Sequence, residues 1–336
     1  MDINELRRGY TTGVHASFVF ARALESYLST STTSYSTTNK MDNDDIDVTK
    51  GCEIVAIVSD SLEDLTLNTI EHRPYTIGYD DISIEIYAGM GVGVVTKDGL
   101  KPPKGYPAIN PTPLKAIEDI YMSQGSKIGR DLYCSISVVD GEEIAKKSAN
   151  PKVGVLGGIS ILGTTGFVKP ISNEAYLDSI YTEISFIKAN RYDRVVLTLG
   201  DSSFKYASDI YPQEQIVEIG NFVYDAIEMS RGVGIYSIVF IAGIGKMTKV
   251  YQGFKNSHNR YGMVDLDTLK GDIYRNIGIK IDIEESRTVK YVADQLDKKG
   301  RYLELCSMLE LGVKEQISKW FTDIDIEPII NSTQTN

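Results

Sequence analysis

The residues from 157 to 170 read Gly-Gly-Ile-Ser-Ile-Leu-Gly-Thr-Thr-Gly-Phe-Val-Lys-Pro, and they constrain the fold of this chain more than any other segment. Four glycines lie within ten residues. Glycine weakens an ordinary helix or strand, but it permits positive φ and close backbone approach. The apolar residues between the glycines, among them Ile161 and Phe167, are atypical of a solvated linker. The segment therefore predicts a shaped functional loop, with a hinge between two domains as the alternative.

The order of predicted strands and helices becomes regular after this segment. Residues 1–190 mix strands and helices irregularly, which predicts an α+β domain in which the Ser/Thr tract 29–39 is a mobile loop or an irregular edge. In residues 191–330, predicted strands at 194–199 and 236–241 each run into a glycine turn and then a helix. That pattern is typical of a parallel α/β sheet, whose ligands bind beyond the carboxyl ends of the strands.

Charge and composition limit the classes of ligand and partner that the chain can bind. The 336 residues suffice for two domains, and a net charge of −11 disfavours general nucleic-acid or membrane binding. Basic residues nevertheless cluster in the glycine-rich segments, which suits a small polyanionic ligand; solvated surface lysines are the alternative. The three cysteines and three histidines lack metal-ligand or disulfide spacing. We expect no protein-bound metal and, because the first residues lack an apolar signal region, a cytoplasmic protein.

Three familiar ligand motifs fail on spacing. Residues 243–247 end in Gly-Lys-Met, but a phosphate-binding loop needs glycine at the position of Phe240 and a hydroxyl at that of Met247. Residues 89–93 contain three glycines, yet prolines rather than a helix follow, so a dinucleotide fingerprint fails too. The acidic run from Asp42 has Asp47 where a calcium loop needs glycine.

Several polar residues near the predicted turns admit two interpretations. Gly200 and Asp201 suit an adenosyl cofactor, because glycine allows close approach and a carboxylate accepts from a ribose; an acidic turn that caps the next helix is the alternative. Asn221 is first a helix N-cap and only second a ligand residue. His258 lies in a polar loop, where exposure is the default, and His15 is interpreted as a satisfied, partly buried histidine.

Taken in order, the segments over about residues 7 to 270 resemble the cobalt-precorrin-5B (C1)-methyltransferase family of anaerobic cobalamin biosynthesis. The matching residues are Arg-Gly-Tyr-Thr-Thr-Gly (8–13), Asp-Asp-Ile-Asp-Val-Thr-Lys-Gly (44–51), Gly-Val-Gly-Val-Val-Thr (91–96), Gly-Leu (99–100), Pro-Ala-Ile-Asn-Pro (107–111), Gly-Glu-Glu (141–143), Asn-Pro (150–151), the segment 157–170, Asn-Phe-Val (221–223), Gly-Lys (245–246) and Asn-Ser-His (256–258). The ordered set is more specific than any one motif.

The resemblance implies transfer of a methyl group from S-adenosylmethionine to C1 of cobalt-precorrin-5B, which gives cobalt-precorrin-6A. It implies an α+β N-terminal domain that resembles a permuted ribosomal S5 domain 2-like fold, followed by a small α/β domain with a four-stranded parallel sheet. Cobalt belongs to the substrate, a polyanionic corrinoid precursor. The sulfonium methyl is already activated, so the protein mainly aligns the reactants and excludes water. The resemblance leaves open whether the chain is a homo-oligomer.

The site hypothesis divides the candidate residues between two ligands, with the segment 157–170 as a wall of the cleft. The predicted cofactor-binding residues are Gly200, Asp201, Asn221, Gly243 and Gly245. The predicted substrate-binding residues are Thr11, Thr12, Thr164, Thr165, Lys169, Lys246 and His258, with the two lysines as carboxylate contacts.

The chain also departs from the family pattern. His15 stands at a usual cysteine, and residues 199–203 and 242–246 replace a Pro-Gly-Asn-Tyr-Gly loop and a Gly-His-Ile-Gly-Lys run. These changes motivate the alternative of a non-catalytic corrinoid-binding paralogue that lost its cofactor. An unrelated phosphate-transferring enzyme is disfavoured by the failed phosphate-loop spacing.

Overall fold

The computed structural model of the chain describes residue 7 and residues 9–43, 48–163, 166–168, 173–281 and 288–331. Contacts between Cα atoms divide the chain into two compact units, unit 1 (Met1–Asn173) and unit 2 (Glu174–Asn336). Unit 1 contains, in chain order, β1 (Gly9–Tyr10), α1 (Thr12–Thr30), β2 (Ser34–Asn39), β3 (Glu53–Ser59), β4 (Tyr75–Tyr79), β5 (Ile82–Ala88), β6 (Gly91–Val92), β7 (Val94–Val95), α2 (Pro111–Gln124), β8 (Leu132–Val138), α3 (Gly141–Ala145), β9 (Val155–Leu156), β10 (Gly158–Ile159) and β11 (Phe167–Val168).

A five-stranded mixed sheet forms the centre of unit 1, in the order β2-β3-β8-β5-β4. Only the β5–β8 pair of this sheet is parallel. Helix α1 packs on β2, β3 and α2, because its apolar residues recur at helical spacing and form one buried face. Phe20 and Leu24 of that face join Ile54, Ile86 and Ile136 of the strands in one core.

The Ser/Thr tract is more regular than the sequence predicts. Its first residues extend α1 to Thr30, and Ser34–Asn39 form an edge strand that pairs antiparallel with β3. The loop prediction is wrong because threonine suits a half-buried pleated strand, and the side chains of β2 alternate between the sheet and solvent.

Close backbone packing explains glycine in the segment that opens with residue 157. Strand β10 pairs with β6, and a Cβ on Gly158 would lie 2.2 Å from the carbonyl carbon of Gly91. A Cβ on Gly163 would lie 2.2 Å from Oγ1 of Thr11. Residues 157–163 are therefore built into unit 1, and the hinge interpretation is wrong for them.

Unit 2 contains α4 (Asn173–Ala189), β12 (Arg194–Leu199), α5 (Asp201–Ser208), β13 (Ile216–Glu218), α6 (Val223–Gly232), β14 (Ser237–Ala242), α7 (Ile244–Tyr251), α8 (Leu266–Ile277), α9 (Val289–Asp297), α10 (Tyr302–Trp320) and β15 (Asp325–Ile330). The predicted four-stranded parallel sheet is confirmed, in the order β13-β12-β14-β15. Its central strands are buried almost throughout, as the continuous Val, Ile and Leu runs predict.

Helix α4 belongs to unit 2, although the sequence places the domain boundary near residue 190, after this helix. The ring of Tyr176 stacks on Phe222 at 5.7 Å, and its hydroxyl donates to the carbonyl of Glu218. At the other end of α4, Lys188 Nζ donates to the carbonyl of Gly234 at 2.9 Å. These contacts explain why α4 belongs to unit 2 and not to unit 1.

Candidate functional site

The strand order of unit 2 creates a switch point between β12 and β14. The chain leaves β12 for β13 on one side and later leaves β14 for β15 on the other. In such open parallel sheets, ligands bind in the crevice outside the carboxyl ends at the switch point. Gly200 and Asp201 follow β12, and Gly243 follows β14. The sheet thus brings four of the predicted cofactor residues, these three and Gly245, to the edge that the sequence predicts.

The glycines at this edge face open space, in contrast to Gly158 and Gly163 of unit 1. A Cβ on Gly245 would meet no heavy atom of the described chain within 4 Å, and one on Gly243 would meet only Asn331 Oδ1, at 3.7 Å. Gly200 has φ +87°, which favours glycine, and its Cβ position lies 3.5 Å from Lys246 Nζ. The edge therefore offers backbone surface that a ligand can approach closely.

Lys246 lies in the first turn of α7 and extends its ammonium over Gly200. The side chain is half-buried, and among the described residues it has no hydrogen-bond or ion-pair partner. Burial lowers the pKa of Lys246; the carboxylate of Glu218 opposes this shift and the ammonium of Lys249 adds to it. A cation in this position is suited to an anionic ligand group.

Lys249, one turn further along α7, makes its hydrogen bonds to other residues of the chain. It is buried, and its Nζ donates to the carbonyl of Ser257 at 3.0 Å, to Asn259 Oδ1 at 2.7 Å and to the carbonyl of Gly262 at 3.0 Å. Ser257 in turn donates through its hydroxyl to Asn221 Oδ1 at 2.8 Å and through its N–H to the Asn221 carbonyl at 3.0 Å. Lys249 therefore fixes the loop that holds Asn221 at the end of β13.

His258 belongs to this loop and is exposed, as the sequence predicts by default. Its Nδ1 accepts from the backbone N–H of Arg260 at 3.1 Å and caps a short 3₁₀ turn. Asn221 is likewise engaged with Ser257, and among the described residues its side chain caps no helix. Asp201 is exposed at the start of α5, where a carboxylate also favours the helix dipole.

Asn331 completes the carboxyl edge and was not predicted. Its Nδ2 donates to Ser202 Oγ at 3.2 Å, and its Oδ1 accepts from Ser203 Oγ at 3.3 Å. These bonds join the residue after β15 to the first turn of α5. The sequence signal was available, because Asn331 directly follows the Ile-Glu-Pro-Ile-Ile run of β15, and ligands of parallel sheets bind at the carboxyl ends of the strands.

The predicted substrate residues Thr11 and Thr12 lie in unit 1, where both hydroxyls form hydrogen bonds within the chain. Thr12 Oγ1 donates to the carbonyl of Leu162 at 3.1 Å and accepts from its N–H at 2.9 Å. Thr11 Oγ1 accepts from the N–H of Val14 at 3.4 Å and caps α1. Both residues thus join α1 to the glycine-rich segment. Thr164, Thr165 and Lys169 lie outside the described residues.

Apolar side chains surround this junction and extend into solvent. Five of them are between 36% and 53% exposed: Tyr10, Val14, Phe18, Leu162 and Phe167. The rings of Tyr10 and Phe167 lie 5.1 Å apart, and the Arg22 guanidinium lies 5.7 Å from the Phe18 ring centre. We call these five side chains the apolar rim of unit 1. Sequence reasoning missed it because helical periodicity does not show which apolar residues stay uncovered.

His15 has the structural role that the sequence predicts. It is buried, its Nδ1 donates to the Thr11 carbonyl at 2.9 Å, and its Nε2 accepts from the N–H of Met41 at 3.2 Å. Burial lowers the pKa of His15, and the ammonium of Lys40 acts in the same direction, against the hydrogen bond to Thr11. The neutral ring therefore joins α1 to the segment after β2 through these two hydrogen bonds.

Other features of the described chain do not suggest a ligand site. The pocket beside Gly91 and Gly141 is lined by Asp140, Glu142 and Glu143, whose charge disfavours a polyanion. Across the ranges that the structure describes, no three histidine, cysteine or acidic side chains are grouped for a metal ion. In the same ranges, no helix combines the length and the apolar character needed to cross a bilayer.

Known proteins resemble the chain over most of its length. The sequence profile of the CbiD family matches residues 23–170. The cobalt-precorrin-5B C(1)-methyltransferase of Methanococcus maripaludis is 32% identical over 90% of this chain and 81% of its own length. The proteins of the same name from a Geobacillus species and from Methanocaldococcus jannaschii are each 33% identical, over 94% and 85% of this chain and 92% and 75% of their own lengths. The crystal structure of a cobalamin biosynthesis protein from Archaeoglobus fulgidus aligns with a TM-score of 0.37 at 25% identity, over 82% of this chain and 86% of that one.

Proposed function

Because this chain belongs to the CbiD family of cobalt-precorrin-5B C(1)-methyltransferases, we propose that it transfers a methyl group from S-adenosylmethionine to C1 of cobalt-precorrin-5B. The product is cobalt-precorrin-6A, in anaerobic cobalamin biosynthesis. The observation that carries the proposal is the switch point of unit 2, where Gly200, Gly243 and Gly245 leave space for a cofactor.

The residues at this edge fit S-adenosylmethionine. In the proposal, the three glycines let the cofactor lie against the backbone, and the exposed Asp201 carboxylate accepts hydrogen bonds from the ribose hydroxyls. The ammonium of Lys246 at the same edge binds a carboxylate group of a bound ligand. Asn221, held by Ser257, lines the adjoining end of β13. The cofactor supplies a methyl group that is already activated on sulfur. The chain's own residues therefore orient the reactants and exclude water, which supplies much of the rate in such reactions.

Unit 1 is proposed to bind the corrinoid precursor. Its apolar rim suits the flat face of a macrocycle, and Thr11, Thr12, Thr164, Thr165 and Lys169 lie in the segments that adjoin the rim in the chain. His258 of unit 2 is proposed as a further polar contact. Cobalt enters as part of this substrate. We also propose that unit 1 has the permuted ribosomal S5 domain 2-like fold, which its mixed sheet supports.

Two further properties follow from the proposal. The cysteines Cys52, Cys134 and Cys306 are buried and form no disulfide among the described residues, which supports a reducing compartment and hence the cytoplasm. The net charge of −11 supports a small-molecule substrate over nucleic acid. Whether the chain is a homo-oligomer is measurable by light scattering on the purified protein.

The test combines calorimetry with product analysis. The full chain is titrated with S-adenosylmethionine and with S-adenosylhomocysteine, and cobalt-precorrin-5B is then converted in the presence of methyl-labelled cofactor. We expect saturable binding of both nucleosides and one labelled methyl group per product. Folded protein that binds neither nucleoside refutes a methyltransferase and supports the non-catalytic paralogue that lost its cofactor. Binding without transfer would contradict methylation of cobalt-precorrin-5B.

A pair of glycine variants locates the cofactor. Gly245 in α7 and Gly271 in α8 are both helical, and a Cβ at either position meets no described atom within 4 Å. Gly245→Leu places a side chain in the proposed site, whereas Gly271→Leu makes the same change elsewhere on unit 2. We expect only Gly245→Leu to abolish nucleoside binding. Equal affinities for the two variants would place the cofactor away from this edge.

A further inference from the structure

In the part of the chain that the structure describes, the ammonium of Lys246 has no hydrogen-bond or ion-pair partner. The exposed carboxylate of Glu218 favours its charged form without forming an ion pair with it. A half-buried charge is unfavourable unless an opposite charge or hydrogen-bond acceptor accompanies it. Its Nζ lies 3.5 Å from the Cβ position of Gly200, so the ammonium extends over the loop after β12 while its helix begins after β14. It therefore spans the switch point, on the side of the residues predicted for the cofactor.

The surroundings of Lys246 select an anionic ligand group. Lys249, one turn away, carries a second positive charge, and the three oxygens that it binds are two carbonyls and a carboxamide, none of them charged. The positive potential of Lys249 is thus not cancelled by its own partners. Asp201 lies directly after Gly200, at the start of α5, where its carboxylate would repel a ligand carboxylate.

We propose that Lys246 binds the amino-acid carboxylate of S-adenosylmethionine, and not a carboxylate of the macrocycle as the sequence hypothesis assigns. This inference rests on the proposed function and adds the orientation of the cofactor. The aminobutyrate end lies at the start of α7, over Gly200, and the ribose lies toward Asp201. Lys246 is then a cofactor-binding residue that also sets the direction in which the sulfonium methyl points.

The test compares two nucleosides that differ in this carboxylate. S-adenosylhomocysteine carries the amino-acid group, and 5′-methylthioadenosine is the same nucleoside thioether without it. Both are titrated into the full chain, into Lys246→Met and Lys246→Arg, and into the control Lys290→Met, which removes an exposed lysine of α9. Thermal unfolding of each variant establishes that it is folded.

We expect Lys246→Met to weaken S-adenosylhomocysteine about 30-fold, as for the loss of a charge-assisted hydrogen bond, and to leave methylthioadenosine unchanged. Lys246→Arg should recover part of the loss, and Lys290→Met should match the wild type. Equal weakening of both nucleosides, or of neither, overturns the assignment while the proposed function stands. Failure of the wild-type chain to bind either nucleoside overturns the proposed function, and the assignment with it.

Discussion

Gly158 gives the sharpest test of how the glycine-rich segment is built. In Gly158→Ala, the new Cβ would lie 2.2 Å from both the carbonyl carbon and the oxygen of Gly91, and 2.7 Å from the N–H nitrogen of Val92. All three are backbone atoms, so β10 and β6 must separate. Overpacking of this kind costs about 1–3 kcal/mol, and each strand hydrogen bond lost adds about 1 kcal/mol. We expect a loss of about 3 kcal/mol in the free energy of unfolding of unit 1.

The measurement is urea denaturation followed by two probes. Far-UV circular dichroism reports both units, whereas fluorescence of Trp320, the one tryptophan of the sequence, reports unit 2. The matched control is Gly129→Ala, because Gly129 is exposed and a Cβ there meets no described atom within 4 Å. We expect the control to stay within about 1 kcal/mol of the wild type. If both variants unfold at the same urea concentration, close packing is not the reason for glycine at residue 158.

Two further predictions concern buried basic side chains. Because burial lowers the pKa of His15 below its ordinary value of 6.5, the neutral ring's contribution to the stability of unit 1 is fully present above pH 6.5 and is lost as the pH falls toward the lowered pKa of the folded state. Urea titrations at pH 7.5 and 5.5 should show this loss in the wild type and less of it in His15→Gln; equal pH dependence would contradict the assignment. Lys249→Met leaves three loop oxygens without a donor and should destabilise unit 2 by about 3 kcal/mol, measured by Trp320 fluorescence against Lys290→Met. A loss no larger than that of the control would show that the loop does not depend on the lysine.

The sequence predicted those elements whose pattern is local. Runs of Val, Ile and Leu that end near a glycine predicted the positions of β12 and β14 to within about one residue. The repeated order of strand, glycine turn and helix predicted the parallel sheet. The family resemblance is confirmed by the relatives that the chain matches over most of its length. The carboxyl-end rule also selected the loops after both strands, because that rule needs only the order of elements along the chain.

Features that depend on distant parts of the chain were not predictable in this way. The position of β13 beside β12, which creates the switch point, depends on strand order and not on any single segment. Residue type and position on one short helix also do not show how the surroundings of Lys246 and Lys249 differ. Only the fold shows that Lys249 is enclosed by three oxygens whereas Lys246 extends over Gly200.

Glycine has opposite roles at two kinds of position in this chain, and this distinction decides how the family motifs relate to function. At Gly158 and Gly163, the space of a Cβ is already filled by backbone or by Thr11, so glycine is required for the fold of unit 1. At Gly245, the same space is empty of described atoms, so packing does not require glycine there. Because Gly245 also lies at the carboxyl edge of the sheet, unlike Gly271, we propose that a ligand is the reason for it. An alanine or leucine at the first kind of position should lower the free energy of unfolding. At the second kind, the same change should lower cofactor affinity while the chain stays folded.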